Sequence, residues 1–212
     1  MKKVLFACLI TLQSFTLLAQ FGNGEEQKKL NYGISLGLNY SNILYEEFSP
    51  SVYTQVEPSN GMGFRFGIVA DYKISKIISI APKAELSFNG GEISVQHLSN
   101  GSIIGNKSYD IMPVSAEIMM HIVFKKGNKN WKPYFFMGPN VRLPLRQYNS
   151  SQTFKNNMDV ALDFGIGGQR TFTTFHFLPE LRYTFGLLDL APDSRLESVN
   201  FHNISVIFSI LG

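Results

Sequence analysis

Glu117 and His121 stand four residues apart, and Asp163, His176, Glu180 and Arg182 follow further along the chain. Carboxylates and imidazoles are the usual carriers of general acid–base chemistry. The spacing does not assemble them. On a β-strand, residues four apart point the same way but lie two pleats apart, too far for a direct acid–base pair. No serine stands in a G-x-S-x-G nucleophile context. His97, His121, His176 and His202 have no metal-ligand spacing. The glycines of "GFRFG" and "GIGG" lack the strand–loop–helix setting of a phosphate or dinucleotide loop. The expectation is a chain with no catalytic residues, no cofactor and no metal, and therefore not an enzyme. A barrel enzyme acting on lipid or peptide would need reactive groups at its outer rim, whereas the inward His and Glu lie mid-strand.

The elements that position these groups read as strands. In "LNYGISLGLNYSN", Leu30, Tyr32, Ile34, Leu36, Leu38 and Tyr40 alternate with Asn31, Gly33, Ser35, Gly37, Asn39 and Ser41. The period of two recurs over 62–74, 78–88, 112–124, 131–145, 158–166, 175–187 and 204–210. Eight segments alternate and none sustains a helical period, so the chain is all-β. A parallel sheet buried on both faces would instead read as continuous apolar runs.

The links between segments sort by length. Short ones fall around Ser75-Lys76, at "KKGNKN" and at "GQRT"; long polar ones run from Leu44 to Gly61, Gly90 to Lys107, Arg146 to Asn157 and Asp189 to Val199. Strict alternation of short and long links is the habit of outer-membrane barrels, with short periplasmic turns and long outer loops. A soluble sandwich has no reason to sort them so. The fold expected is an eight-stranded antiparallel up-and-down transmembrane β-barrel, integral to a bacterial outer membrane. An even strand count places both termini on the periplasmic side, with outer-membrane lipid around the apolar face. Tyr32, Tyr72, Phe124 and Trp131 then fall near the lower rim, and Tyr40, Phe64, Phe88 and Phe185 near the upper one, as two membrane-interface girdles.

Composition agrees. The chain of 212 residues has one or at most two domains' worth of length, 44% apolar and 17% charged residues, and a net charge of +3. No element carries a Lys/Arg stripe, so nothing asks for nucleic acid; Lys28–Lys29 and Lys125–Lys126 read as solvated tails or turns. Met1-Lys2-Lys3, the apolar run to Leu18 and the "LLAQ" ending read as a signal peptide over 1–19, with Cys8, the one cysteine, inside the removed part. A short polar segment follows over 20–29, and the barrel domain spans 30–212.

Eight strands leave an interior just wide enough for side chains. Parity sends Arg65, Asp71, Lys73, Lys83, Glu85, Glu117, His121, Arg142, Asp163, His176, Glu180 and Arg182 inward. Both signs occur in similar numbers, and buried charges must pair. The inward set therefore reads as a polar network plugging the lumen, with the small residues of the first strand leaving room for longer neighbours.

Several stretches together resemble a known family: "LNYGISLGLNYSNI", "FRFGIVADYKIS" with "ISIAPKAELSF", "KPYFFMGPNVRL", "DVALDFGIGGQRTF" and "FHFLPELRYTFGLLDL". In this order they resemble the PorT-type outer-membrane β-barrel proteins of Bacteroidetes, over nearly all of the chain that follows residue 29. The resemblance implies a structural or accessory role in the cell envelope, in type IX protein secretion and the export of surface proteins, and it supplies no catalytic residues. Two other readings stay open: an OmpX-like or OmpA-like surface barrel that binds a partner through the loop from Leu44 to Gly61, with Tyr45, Phe48 and Tyr53, and a narrow pore.

Overall fold

The structure is a computed structural model that describes residues 29–47, 54–99, 102–127, 130–145, 158–191 and 196–212. The segments read as a signal peptide and polar leader, together with Phe48 and Tyr53, lie outside the described residues. Among the described residues nine strands follow one another: β1 (Leu30–Glu47), β2 (Thr54–Lys73), β3 (Ile78–Ser99), β4 (Ser102–Asp110), β5 (Val114–Lys125), β6 (Trp131–Pro144), β7 (Asp159–Thr171), β8 (His176–Gly186) and β9 (Leu196–Leu211). Every pairing is antiparallel. The ring runs β1, β2, β3, β5, β6, β7, β8, β9 and closes β9 onto β1, so eight strands form the barrel. Closure removes free edges within the wall, as an apolar surround demands.

The period of two in the sequence becomes inside and outside. Leu36 pairs with Phe66 on one side and Phe208 on the other, and all three point outward and are exposed. Neighbouring outward rings stack, Phe64 on Phe88 at 4.5 Å and Phe124 on Phe135 at 5.8 Å. The turns 74–77 and 172–175 and the link residues Lys126, Gly127 and Asn130 gather at one end, with the start of β1 and the end of β9. "GQRT" belongs to β7, and the turn there is "FTTF" one step later: Phe172 N–H donates to the Phe175 carbonyl at 2.9 Å.

The other end departs from the eight-segment reading. About 9–11 residues suffice for a tilted strand to cross a bilayer. β5, β7 and β8 have 12, 13 and 11, but β1, β2, β3 and β9 have 18, 20, 22 and 16. The supposed loops Leu44–Gly61 and Gly90–Lys107 are largely continuations of these four contiguous strands. A ninth strand, β4, pairs with β3 outside the ring. The bend lies where Gly61 faces Gly90; a Cβ on either would sit within 3.0 Å of the other's backbone. The register shifts between Gly61 and Phe64, and a bulge of this kind re-aims a strand.

Past the bend the pattern inverts. Ile43, Val56, Ile93, Val95, Val199 and Phe201 point inward with Tyr109, Ile111, Leu190 and Ala191 and form an apolar core, while Glu46 is exposed. A wall that faces lipid turns apolar residues out; a lobe that faces water turns them in. Met112 ends the β4–β5 link with φ 49°, in the left-handed region that costs a non-glycine residue about 1–3 kcal/mol. Its carbonyl is held by Asn89 Nδ2 at 2.9 Å and its side chain is buried in the lobe.

This lobe is expected to lose stability independently of the wall. Ile93→Ala should lower the unfolding free energy in urea by about 2–5 kcal/mol and speed proteolysis at the long-strand end. The heat-dependent gel shift of the folded barrel should remain.

Candidate functional site

The lumen is filled by charged side chains in layers. Glu85 on β3 is the centre. It accepts from Arg65 Nη1 on β2 at 3.2 Å and from both Nη1 and Nη2 of Arg182 on β8 at 3.0 and 3.1 Å. In the ring of eight, β3 and β8 stand diametrically opposite, so the forked Arg182–Glu85 contact spans the barrel. A second contact spans it one pleat away: Lys83 Nζ donates to Glu180 at 2.6 and 2.8 Å. Arg182 Nη2 lies 3.6 Å from Glu180, and Tyr134 O–H donates to Glu180 at 2.9 Å.

Towards the long-strand end, Arg65 Nη1 also reaches Glu117 at 3.4 Å and its Nη2 reaches Ser87 Oγ at 3.3 Å. Asn140 Nδ2 bridges Glu117 at 3.1 Å and Asp163 at 3.3 Å, and Asp163 bonds His121 Nε2 at 3.0 Å. Glu117 is thus joined to His121 only indirectly, through the Asn140 amide and the Asp163 carboxylate. Arg142 pairs with Asp159, donates to the Phe201 carbonyl at 2.7 Å and lies over the Phe201 ring at 5.2 Å, joining the polar layers to the apolar lobe. Towards the turn end, Lys125 Nζ donates to Asp71 at 2.6 Å and to Gln169 at 3.1 Å.

Of the residues parity sends inward, Arg65, Asp71, Lys83, Glu85, Glu117, His121, Arg142, Asp163, Glu180 and Arg182 are buried in these layers. Lys73 and His176 are half-buried at the turn-end mouth, where His176 Nδ1 shares a hydrogen bond with Thr171 Oγ1 at 3.1 Å. Lys125 corrects its reading as a solvated turn: it is buried and paired, because β5 continues inward through Val123 to Lys125. Extending the parity of Met119, His121 and Val123 by one step would have found it. Asp159, Asn140 and Gln169 also join the network; Asp159 and Gln169 share the inward parity of Asp163, and Asn140 that of Arg142, so the alternation places them inside although it does not say which groups they meet. Tyr32, Tyr40, Phe64, Tyr72, Phe124 and Trp131 all point outward and are exposed. The Trp131 indole lies across Gly168, where any Cβ would collide with it.

Small residues make this filling possible. A Cβ on Gly37 would come within 3.2 Å of Arg65 Cγ and 2.7 Å of the Val206 carbonyl, and one on Gly165 would come within 2.6 Å of the Phe136 ring. Phe136 in turn stacks on His121 at 4.9 Å and receives Lys83 Nζ at 5.2 Å over its face. The lumen binds itself. Its carboxylates pair with its own cations, while Asp71 Oδ1, Arg142 Nη1 and the Nε atoms of Arg65, Arg142 and Arg182 are buried with no hydrogen-bond partner among the described residues.

A closed antiparallel ring of eight strands, apolar outside and ion-paired within, defines an outer-membrane β-barrel. The chain belongs to the family described as the outer membrane protein beta-barrel domain, whose model matches residues 18–191. It is an integral outer-membrane protein that crosses with strands; among the described residues no helix is long and apolar enough to do so. No curated protein matches the sequence. Among solved structures the chain is similar to the outer membrane protein OprG from Pseudomonas aeruginosa, with 12% identity, a TM-score of 0.46, and 86% of this chain and 91% of that one covered. It is similar also to Ail, the attachment invasion locus protein of Yersinia pestis, in complex with the heparin analogue sucrose octasulfate, with 12% identity, a TM-score of 0.44 and coverage of 87% and 99%. Neisserial surface protein A aligns at 12% identity and a TM-score of 0.42, over 84% of this chain and 96% of that one.

The network makes a graded prediction. Glu85→Leu strands two buried guanidinium groups and should cost about 3–5 kcal/mol of unfolding free energy. Adding Arg65→Met and Arg182→Met to it should recover most of that loss in the same urea titration.

Proposed function

We propose that this protein is a non-enzymatic outer-membrane barrel that serves as a structural or accessory part of an envelope assembly, and that the assembly is type IX protein secretion. The observation that supports the reading is the ion-paired lumen: Glu85–Arg182 and Lys83–Glu180 cross it, and the apolar lobe stands over one end. Such an interior stiffens a wall. The PorT resemblance of the strand motifs supplies the secretion assignment. The even number of wall strands supports placing both termini and the short turns in the periplasm, with the lobe outside and lipid around the outward aromatic girdles.

A second reading rests on the lobe itself. β4 pairs with β3 alone and stands at the end of the sheet order, so this chain presents a sheet extension beyond the wall, as a surface barrel that binds a partner there would. A narrow pore is the weakest reading, because the ion pairs occupy the cross-section.

Deleting the gene and comparing the secreted proteomes tests the assignment. Loss of type IX cargo is the expected result, and unchanged export would sink the secretion role. Replacing 90–110 by a short Gly/Ser turn separates the two readings: export that persists while surface binding is lost favours the partner-binding barrel. Planar-bilayer conductance should be near zero.

A further inference from the structure

The turn-end mouth holds a cavity that the ion-paired lumen does not use. It has a volume of about 880 Å³, within the range that encloses a small solute. Lys73, Lys76, Lys125, Lys126 and Lys132 line it, and no Asp or Glu does among the described residues. Asp71, which neighbours Lys73 on the inward face of β2, is buried and engaged by Lys125 at 2.6 Å. Even with a carboxylate at Gly212, which also lines the cavity, the positive charge is in excess. Like charges gathered in one concavity repel, and a counter-ion held among them relieves the repulsion.

A second observation points inward from the wall. Asn31 lines the same cavity, is 3% exposed, and its Nδ2 has no hydrogen-bond partner among the described residues. An amide donor left in that state costs about 1–3 kcal/mol, which an acceptor in the cavity would recover. Phe172 and Phe175, stacked at 4.7 Å, form part of the rim and narrow the solvent around the site.

We propose that the turn-end mouth is a binding cup for a small multivalent oxyanion of the phosphate class. The cationic groups are all lysines, compact charges on flexible stems, with no arginine fork that would favour a planar carboxylate. They stand around the cavity on the β2 end, the β2–β3 turn, the β5 end and the β6 start, so they can meet charge distributed over several oxygens. The cup itself does not depend on the secretion role; only the compartment it faces rests on the orientation proposed above.

The test uses the full barrel folded in nonionic detergent, its folding checked by the heat-dependent gel shift, and calorimetric titration with sodium tripolyphosphate. The expected result is saturable binding, one per barrel, that weakens as salt rises. Joint Lys76→Glu and Lys132→Glu changes should weaken it on the order of tenfold or more, Asn31→Ala should weaken it less, and Lys107→Glu on β4 should leave it unchanged. Absence of saturable heat, or an affinity that the double charge reversal does not move in a barrel that still shifts on gels, overturns the proposal. So does tighter binding of a hexaglutamate peptide than of tripolyphosphate, which would make the occupant an acidic chain. Repeating the titration in phosphatidylcholine nanodiscs with and without phosphatidylglycerol separates the sources. Competition by phosphatidylglycerol assigns the cup to a lipid headgroup, and an unchanged affinity assigns it to a soluble phosphate; either upholds the oxyanion site.

Discussion

The contact between Arg182 and Glu85 reaches from one wall of the barrel to the opposite wall, and the rest of the interior is arranged around it. An eight-stranded barrel cannot leave its axis empty, and a wall that turns its apolar residues to lipid sends the other parity inside. The inside is therefore polar by construction, and polar groups there must find one another. Glu85 receives two guanidinium groups, Glu180 receives a lysine, an arginine contact and a tyrosine hydroxyl, and Asp163 receives an imidazole and an amide. Each removal leaves a buried charge behind, so the network acts as one unit.

The same strands then pass into a second solvent. β1 sends Ser35 and Asn39 inward and Leu36 and Leu38 outward, and four residues beyond Asn39 the same inward parity carries the apolar Ile43. Nothing in the backbone has changed except a bulge and the facing pair Gly61 and Gly90. What has changed is the surround, and with it the sign of the hydrophobic driving force. Arg142 stands at the junction, ion-paired to Asp159 below and lying over Phe201 above. The molecule is a polar-cored barrel continued by an apolar-cored lobe, and β1, β2, β3 and β9 belong to both.

The middle is closed by its own ion pairs, whereas the long-strand end presents β4 at the edge of a sheet and the turn end presents a lysine-lined cup. The cup and the plug share Lys125 and Gln169; Lys125 turns its ammonium to Asp71 and to the Gln169 side chain and closes the lower limit of the network.

The alternation by itself determined the all-β class, the wall strands and which parity faces lipid, because a period of two is a local property of each strand. It also sent most of the buried charges inward, Glu85 and Arg182 among them, although not Lys125 and not which of them meet. Only the tertiary structure decided that β3 faces β8 across the axis, since opposition in a ring is set by strand order and closure. Only it decided that the segments after Leu44 and Gly90 continue as strands. Their inward residues are apolar, so against the rule of the wall they read as loops. Lys125 shows the limit most plainly: in the sequence it is one of two adjacent lysines near a turn. One further inward step of β5 beside Asp71 makes it a buried ion.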